Sequence, residues 1–342
     1  NLMKLAINNK NIIVTGAAGS IGNTILKQLL NYNPSSILCI DASEIGIYNL
    51  MEKYRDDSRV SYKLGNLLDI KFVENIFNSC QIDLVFHTAA YKHVNIIEDN
   101  VAIGIKNNII STYNLLKSCY NSEIQEFVLI SSDKAVRSSN IMGATKKFAE
   151  KIVLFFNKKY HDEGKNINYK IVRFGNVLES SGSVIPRFNK QISEGGPLTV
   201  THKEVKRYFM TLDEAANLVI QSSQLNDLGF IYTLKMGNLI KIYDLALKMI
   251  HLRGLKLKET EDGDGDIYIK ITGLKKGEKL IEELYDYDNF SETENSLIIK
   301  SKAENINIKD LEFEINNILK LSYDNREGKE FLINSISDYK PN

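Results

Sequence analysis

The run Ser131-Ser132-Asp133-Lys134 sets hydroxyls, a carboxyl and an amine side by side just after an apolar stretch. Adjacent carboxyl and ammonium groups on a loop can supply both a proton donor and a proton acceptor, which is what acid–base chemistry requires. Met142-Gly143-Ala144-Thr145-Lys146 follows and opens a helical pattern; its four-residue spacing puts Met142 and Lys146 on one helix face. Near the N-terminus, Thr15-Gly16-Ala17-Ala18-Gly19-Ser20-Ile21-Gly22 joins an apolar run to an amphipathic one. Glycines there let the backbone approach a pyrophosphate, and the helix that follows presents free N–H groups to it. Asp41 ends the next apolar run, where a carboxylate accepts hydrogen bonds from adenosine ribose hydroxyls and repels a 2′-phosphate. NAD is therefore the expected cofactor, and NADP is disfavoured.

The elements that must hold these residues alternate between strand and helix patterns. Strands are expected at Asn11 to Val14, Ser36 to Ile40, Val60 to Leu64, Leu84 to His87, Phe127 to Ser131 and Ile171 to Phe174. Helical periodicity fills the gaps at Ile21 to Leu30, Glu44 to Tyr54, Ile70 to Asn78, Val101 to Tyr120 and Met142 to Tyr160. Such alternation predicts an α/β fold: a Rossmann-type doubly wound parallel sheet, with a smaller mixed α/β substrate-binding domain after it. Residues 1–176 form the expected NAD-binding domain, with part of 207–236 returning to it. Residues 177–206 and 237–295 form the substrate-binding domain, and 296–342 a C-terminal tail. Helices are expected in the second half at Asp213 to Gln224, Ile242 to Leu252 and Ile308 to Leu321, and an exposed strand at Ile267 to Ile271.

Lys plus Arg and Asp plus Glu balance at 43 each, so no strong field recruits nucleic acid. The cysteines Cys39, Cys80 and Cys119 are few and far apart, as in reduced proteins of the cytoplasm. No apolar run approaches the ~18–20 residues that cross a bilayer. The chain begins at Asn1 rather than Met, as expected of a trimmed chain or the soluble portion of a membrane-anchored protein. Asp262-Gly263-Asp264-Gly265-Asp266 imitates the start of a calcium loop, but Ile267 stands where glycine is needed, so it reads as a solvated turn. His87 and His93 lack further ligand partners in the sequence, and no metal is expected.

The glycine spacing, with one residue more than the usual dinucleotide fingerprint, resembles that of the short-chain dehydrogenase/reductases. Gly65-Asn66-Leu67 stands where these enzymes carry Gly-Asp beside adenine, and Asn66 keeps an acceptor oxygen. Ala89 and Ala90 are small where the chain passes the cofactor. Met142 stands where most of these enzymes have the acid–base tyrosine. With the Ser-Asp-Lys loop, it makes the chain similar to the polysaccharide-biosynthesis branch of UDP-N-acetylglucosamine 4,6-dehydratases, of the extended short-chain type. The likeness runs through Ala89-Ala90-Tyr91-Lys92-His93-Val94, Val172-Arg173-Phe174-Gly175-Asn176-Val177, Gly182-Ser183-Val184-Ile185-Pro186, Thr201-His202, Arg207-Tyr208-Phe209-Met210 and Thr272-Gly273-Leu274-Lys275-Lys276-Gly277-Glu278-Lys279.

The resemblance implies oxidation of the sugar at C4, elimination of water across C5 and C6, and hydride return to C6, on UDP-N-acetylglucosamine or a close UDP-sugar and in a homo-oligomer. It further implies Lys134 as base at C5, Asp133 as acid for the departing hydroxyl, Ser132 at the C4 oxygen and Lys146 at the nicotinamide ribose. Substrate contacts are implied for Lys92, Asn176, Val184, Ile185, Pro186, Arg207 and Glu278. Glu179 and Ser181 depart from relatives that often have Gly and Arg there. The missing tyrosine leaves open which group deprotonates the C4 hydroxyl. Two other readings stand beside the dehydratase: a UDP-sugar 4-epimerase, which shares the C4 oxidation but needs the missing tyrosine, and a catalytically silent NAD-binding sensor, which Met142 motivates.

Overall fold

A computed structural model describes the chain except residues 1–6, 125, 181, 226, 228–229, 284–289 and 342; Ser181 thus lies outside the described residues. The strands are β1 (Asn11–Thr15), β2 (Ser36–Asp41), β3 (Val60–Leu64), β4 (Leu84–His87), β5 (Glu126–Ile130), β6 (Asn168–Arg173), β7 (Asn176–Val177), β8 (Leu198–Val200), β9 (Lys206–Met210), β10 (Phe230–Leu234), β11 (Leu239–Lys241), β12 (Leu257–Lys258), β13 (Ile267–Ile271), β14 (Phe290–Glu292) and β15 (Ile298–Lys302). Nine of them form one sheet in the order β14-β15-β10-β6-β5-β4-β1-β2-β3. From β3 across to β10 every pairing is parallel, and β15 and β14 close the far edge antiparallel.

Alternation along each strand builds two cores from one sheet. Ile13, Leu38, Val85, Phe127, Leu129 and Ile171 point to one face, and Ile12, Val14, Ile37, Phe86, Val128 and Val172 to the other. Both faces are covered by helices, which is why these strands read as continuous apolar runs. Helices α1 (Ser20–Leu29), α2 (Glu44–Lys53), α3 (Ile70–Ser79), α4 (Val94–Asp99) and α5 (Val101–Ile105) precede a π-helical turn at Lys106–Ile110. Helices α6 (Ser111–Asn121) and α7 (Ile141–Asp162) complete the first half. The single helix expected from Val101 to Tyr120 is therefore interrupted. The turn re-aims Asn108, whose side chain bonds both the N–H (2.8 Å) and the carbonyl (3.0 Å) of Tyr91 and the Thr145 hydroxyl (3.0 Å).

A third, smaller core joins α8 (Val184–Ser193) and α10 (Ile242–Leu252) to β8, β9 and β13. Between them in the chain, α9 (Leu212–Ser222) returns to the large sheet, and Gln28 of α1 donates to the Asp213 carbonyl at 2.8 Å. The stretch 296–342, set apart as a tail by its polar composition, instead supplies β15 to the large sheet. It also adds α11 (Ile308–Lys320) and α12 (Asn325–Ser335), whose Leu311, Ile315, Ile318 and Leu332 join the core around α7. Among the described residues no helix is long and apolar enough to cross a membrane.

One buried ion pair ties α7 to the sheet. Glu150 is 1% exposed and meets Arg173 of β6 through Nε (2.7 Å) and Nη2 (2.5 Å), while the Ser131 hydroxyl donates to the same carboxylate at 2.5 Å. Burial opposes the charged carboxylate, but Arg173 outweighs it and holds the group below the usual range. Glu150→Ala would strand a buried guanidinium, so chemical denaturation of the variant should show a loss of about 3–5 kcal/mol.

Candidate active site

The chain order reverses between β1 and β4, and the carboxyl ends of the strands open there into a cavity of about 990 Å³. Its walls come from the ends of β1 (Gly16), β4 (Ala89, Ala90), β5 (Ser132) and β6 (Phe174), from Asn176 of β7, and from Met142 and Lys146 of α7. Gly16 has φ of +63°, and a Cβ there would lie 2.7 Å from the Ala89 nitrogen. At Gly22 a Cβ would lie 2.2 Å from the Gly16 carbonyl oxygen, so the helix can start against the turn only without a side chain. Gly19, Ser20, Ile21 and Gly22 all face the cavity. Thr15 does not. It is fully buried, bonded to His87 Nδ1 at 2.7 Å, and supports the turn from below.

Asp41 ends β2 at the cavity wall and accepts from the backbone N–H groups of Ala18 (3.0 Å) and Ser43 (2.9 Å), which fixes its carboxylate. Asn66 and Leu67 line the cavity beyond it; the Asn114 amide holds that loop through the carbonyls of Leu67 (3.0 Å) and Leu68 (3.1 Å). These residues suit a dinucleotide, with clearance for a pyrophosphate at the glycines and a fixed acceptor at Asp41. His87 has both ring nitrogens engaged, by Thr15 and by Thr112 at 3.0 Å. Burial, with Lys146 nearby, pushes its pKa down to about 3, so the ring is neutral. Among the described residues no group of three or more side chains could hold a metal ion. In the acidic turn, Asp264 pairs with Lys256 at 2.6 Å.

The α7 N-terminus and the loop before it supply another part of the cavity wall. Asn140 caps the helix by accepting from the Gly143 N–H at 2.8 Å. Met142 and Lys146 project together into the cavity, and Lys146 Nζ donates to the Ile130 carbonyl at 2.5 Å. Burial lowers the Lys146 pKa to about 8 against the opposing pull of Glu150. Ser132 reaches the cavity and donates to Asp133 Oδ1 at 2.9 Å. Asp133 itself is 2% exposed and lines no cavity wall; its Oδ1 also accepts from Lys134 Nζ at 3.1 Å. Lys134 lies within 3.3 Å of Asn176 Oδ1 and 4.0 Å of Glu282 Oε1. Burial works against its ammonium, yet Asp133 and Glu282 together outweigh burial and raise the pKa.

Lys134, Asn176, Val184 and Phe209 form the neck to a second cavity of about 220 Å³. Arg207 and Glu278 line it and are paired at 3.0 Å, and Arg207 also donates to the carbonyls of Lys206 (2.9 Å) and Leu280 (3.1 Å). Lys92 lies on the first cavity. Ile185 and Pro186, in the first turn of α8, line neither. Three wall residues had no signal of their own in the sequence. Asn107 sits in the π-turn, Arg187 in α8, and Glu282 in an acidic run that reads as solvated surface.

Comparison with known proteins agrees with this architecture. The family described as polysaccharide biosynthesis protein matches residues 12–303. The capsular polysaccharide biosynthesis protein CapD of Staphylococcus aureus is 41% identical over 83% of this chain and 46% of its own length. The chain thus spans about half of the first curated relatives it matches. A UDP-N-acetylglucosamine 4,6-dehydratase (inverting) of Campylobacter jejuni is 31% identical over 90% of this chain and 88% of its own. A UDP-glucose 4-epimerase of Rickettsia massiliae is 28% identical over 84% and 81%. Among solved structures, Pen from Bacillus thuringiensis superposes with a TM-score of 0.78 at 30% identity, covering 91% of this chain and 99% of that one. With a match from β1 to beyond β15 and the site carried inside it, the chain belongs to the polysaccharide biosynthesis protein family.

Proposed function

We propose that the chain catalyses the 4,6-dehydration of UDP-N-acetylglucosamine with NAD. The observation that carries this reading is the pairing of Met142, at the helix position where a phenol would act, with a buried Lys134 held by Asp133 at the neck of the cavity. C4 oxidation alone needs no base at C5, whereas elimination of the C6 hydroxyl needs a base and an acid. Bound between the glycine turn and Lys146, NAD would take hydride from C4 and return it to C6. Lys134 removes the C5 proton, which the adjacent ketone acidifies. Asp133, once it has taken up a proton, gives it to the departing hydroxyl through the Ser132 hydroxyl that joins it to the cavity, and Ser132 orients the C4 oxygen. Lys146 holds the nicotinamide ribose. Asn176, Val184, Lys92 and the Arg207–Glu278 pair surround the space for the uridine diphosphate and sugar.

The epimerase reading is favoured by the similarity to UDP-glucose 4-epimerases, and it requires acid–base work that Met142 cannot do. Incubation with UDP-N-acetylglucosamine, followed by mass spectrometry, should show loss of one water without build-up of reduced cofactor. An isobaric product would support epimerisation, and tight NAD binding without turnover would support a sensor. Lys134→Ala should slow dehydration by about 10²–10⁴-fold; a near-normal rate would remove Lys134 as the base.

Asp41 gives a second, separable test. Asp41→Ala removes a charged acceptor at the ribose and the repulsion of a 2′-phosphate, so NAD affinity should fall about tenfold or more and the preference over NADP should narrow. Fluorescence titration with both cofactors measures this directly.

A further inference from the structure

We propose that Glu282 is the proton-exchange partner of Lys134, accepting the proton that the lysine must shed before it can act as a base; this rests on the dehydratase reading. Glu282 is 4% exposed, with Oε1 4.0 Å from Lys134 Nζ, and no hydrogen bond from a described residue reaches its carboxylate. A buried carboxylate without such bonds is costly unless it can be neutralised. The charged groups that face it are Lys134 and Asp133 of the loop, Arg207 of β9 and Lys279 of its own segment. Burial, with Asp133 adding to it, outweighs Lys134, Arg207 and Lys279 and raises the Glu282 pKa, which favours the protonated acid. Asp133 is occupied differently, since its Oδ1 already accepts from Ser132 and Lys134.

The segment carrying Glu282 is fastened to the catalytic loop. The Gly277 carbonyl accepts from Ser139 Oγ (3.1 Å) and Asn140 Nδ2 (3.2 Å). Lys279 Nζ donates to the Arg137 carbonyl at 2.9 Å, and Arg137 pairs with Glu283 at 2.9 Å. Behind it, the Lys206 N–H donates to the Leu280 carbonyl at 2.9 Å. These bonds set the distance between Glu282 and Lys134 from two elements at once.

The proton balance of the reaction gives that distance a use. In each cycle the protein takes up a proton from the C4 hydroxyl and another from C5. It then gives one to the departing hydroxyl, forming water, and returns one to C5. Two protons are taken and two given back, so more than one group must store them. In the resting site Lys134 is an ammonium held by two carboxyls and cannot accept the C5 proton. Transfer of its proton to Glu282 leaves an amine and a neutral carboxylic acid, with charge conserved inside the pocket.

The test compares wild type, Glu282→Gln and Glu282→Asp on UDP-N-acetylglucosamine across pH, with NAD affinity and thermal melting recorded for each. Gln keeps the shape but cannot take a proton. For Glu282→Gln, kcat at pH 7 should fall about 10²-fold, with KM within about threefold. The deficit should shrink as pH rises, because Lys134 then loses its proton to solvent instead. Glu282→Asp should recover part of the rate. A kcat for Glu282→Gln within threefold of wild type, or an equal loss at every pH, would overturn the assignment. If wild type binds NAD but releases no dehydrated sugar, the functional reading fails and this inference fails with it.

Discussion

The loop that carries Ser132, Asp133 and Lys134 is pressed against the first turn of α7 so closely that a Cβ on Gly143 would sit 2.1 Å from the Lys134 carbonyl oxygen. That contact fixes where the helix begins relative to the end of β5, and most of the site is measured from it. Asn140 caps the helix at the same place, and the Ser138 hydroxyl donates back to the Lys134 carbonyl at 3.1 Å. One turn further along α7, Lys146 reaches the Ile130 carbonyl; another turn on, Glu150 binds Arg173 and Ser131. Four elements are thereby locked in one register, with little freedom to move the reactive groups apart. Buried charges are expensive to leave unpaired, so the Glu150–Arg173 pair enforces that register as much as it fills space.

The parallel half of the fold was legible because its strands are buried on both faces. Ile12 to Val14, Ile37 to Ile40 and Leu84 to Phe86 appear as apolar runs, and the turns between them carry glycine or a capping side chain. The antiparallel edge was not legible for the opposite reason. β14 is exposed, and β15 mixes lysines with isoleucines, so neither has the pattern of a central strand. Only the pairing of Thr233 and its neighbours in β10 with Ile299 and its neighbours makes that region part of the sheet, and long-range pairing leaves no local period. The break at Lys106–Ile110 was invisible too, because a π-turn is defined by its i→i+5 backbone bonds and no residue type in Lys106–Ile110 marks it.

Within the site, residues close in sequence were easier to find than residues brought together by folding. Gly16, Asp41 and Ser132 sit at strand ends, and Gly22, Met142 and Lys146 in the first turns of the helices that follow, where the doubly wound topology concentrates ligand contacts. Thr15 and Asp133 were expected at the site, yet both side chains lie beneath the cavity surface, a difference that spacing along the chain does not reveal. Arg207 and Glu278 were each expected to contact substrate; in the structure they are paired with one another, and a ligand must enter beside that pair or loosen it.

Under the proposed function, methionine at position 142 shifts proton traffic away from the helix. On that face Lys146 is the neighbouring titratable group, and its amine is tied to a backbone carbonyl that cannot exchange protons. His87 lies nearby but is neutral and bonded on both nitrogens, so it cannot relay a proton without breaking the support of the glycine turn. In the proposed reaction the loop is the place where a proton is both taken and given. It stands at the neck between the two cavities, with the segment from Gly277 to Glu283 closed over it. A phenol on a helix needs only the large sheet to position it; a lysine set between carboxyls needs the smaller domain as well. In the proposed reaction, methionine on α7 therefore makes the catalytic state depend on how the two parts of the chain are fastened together.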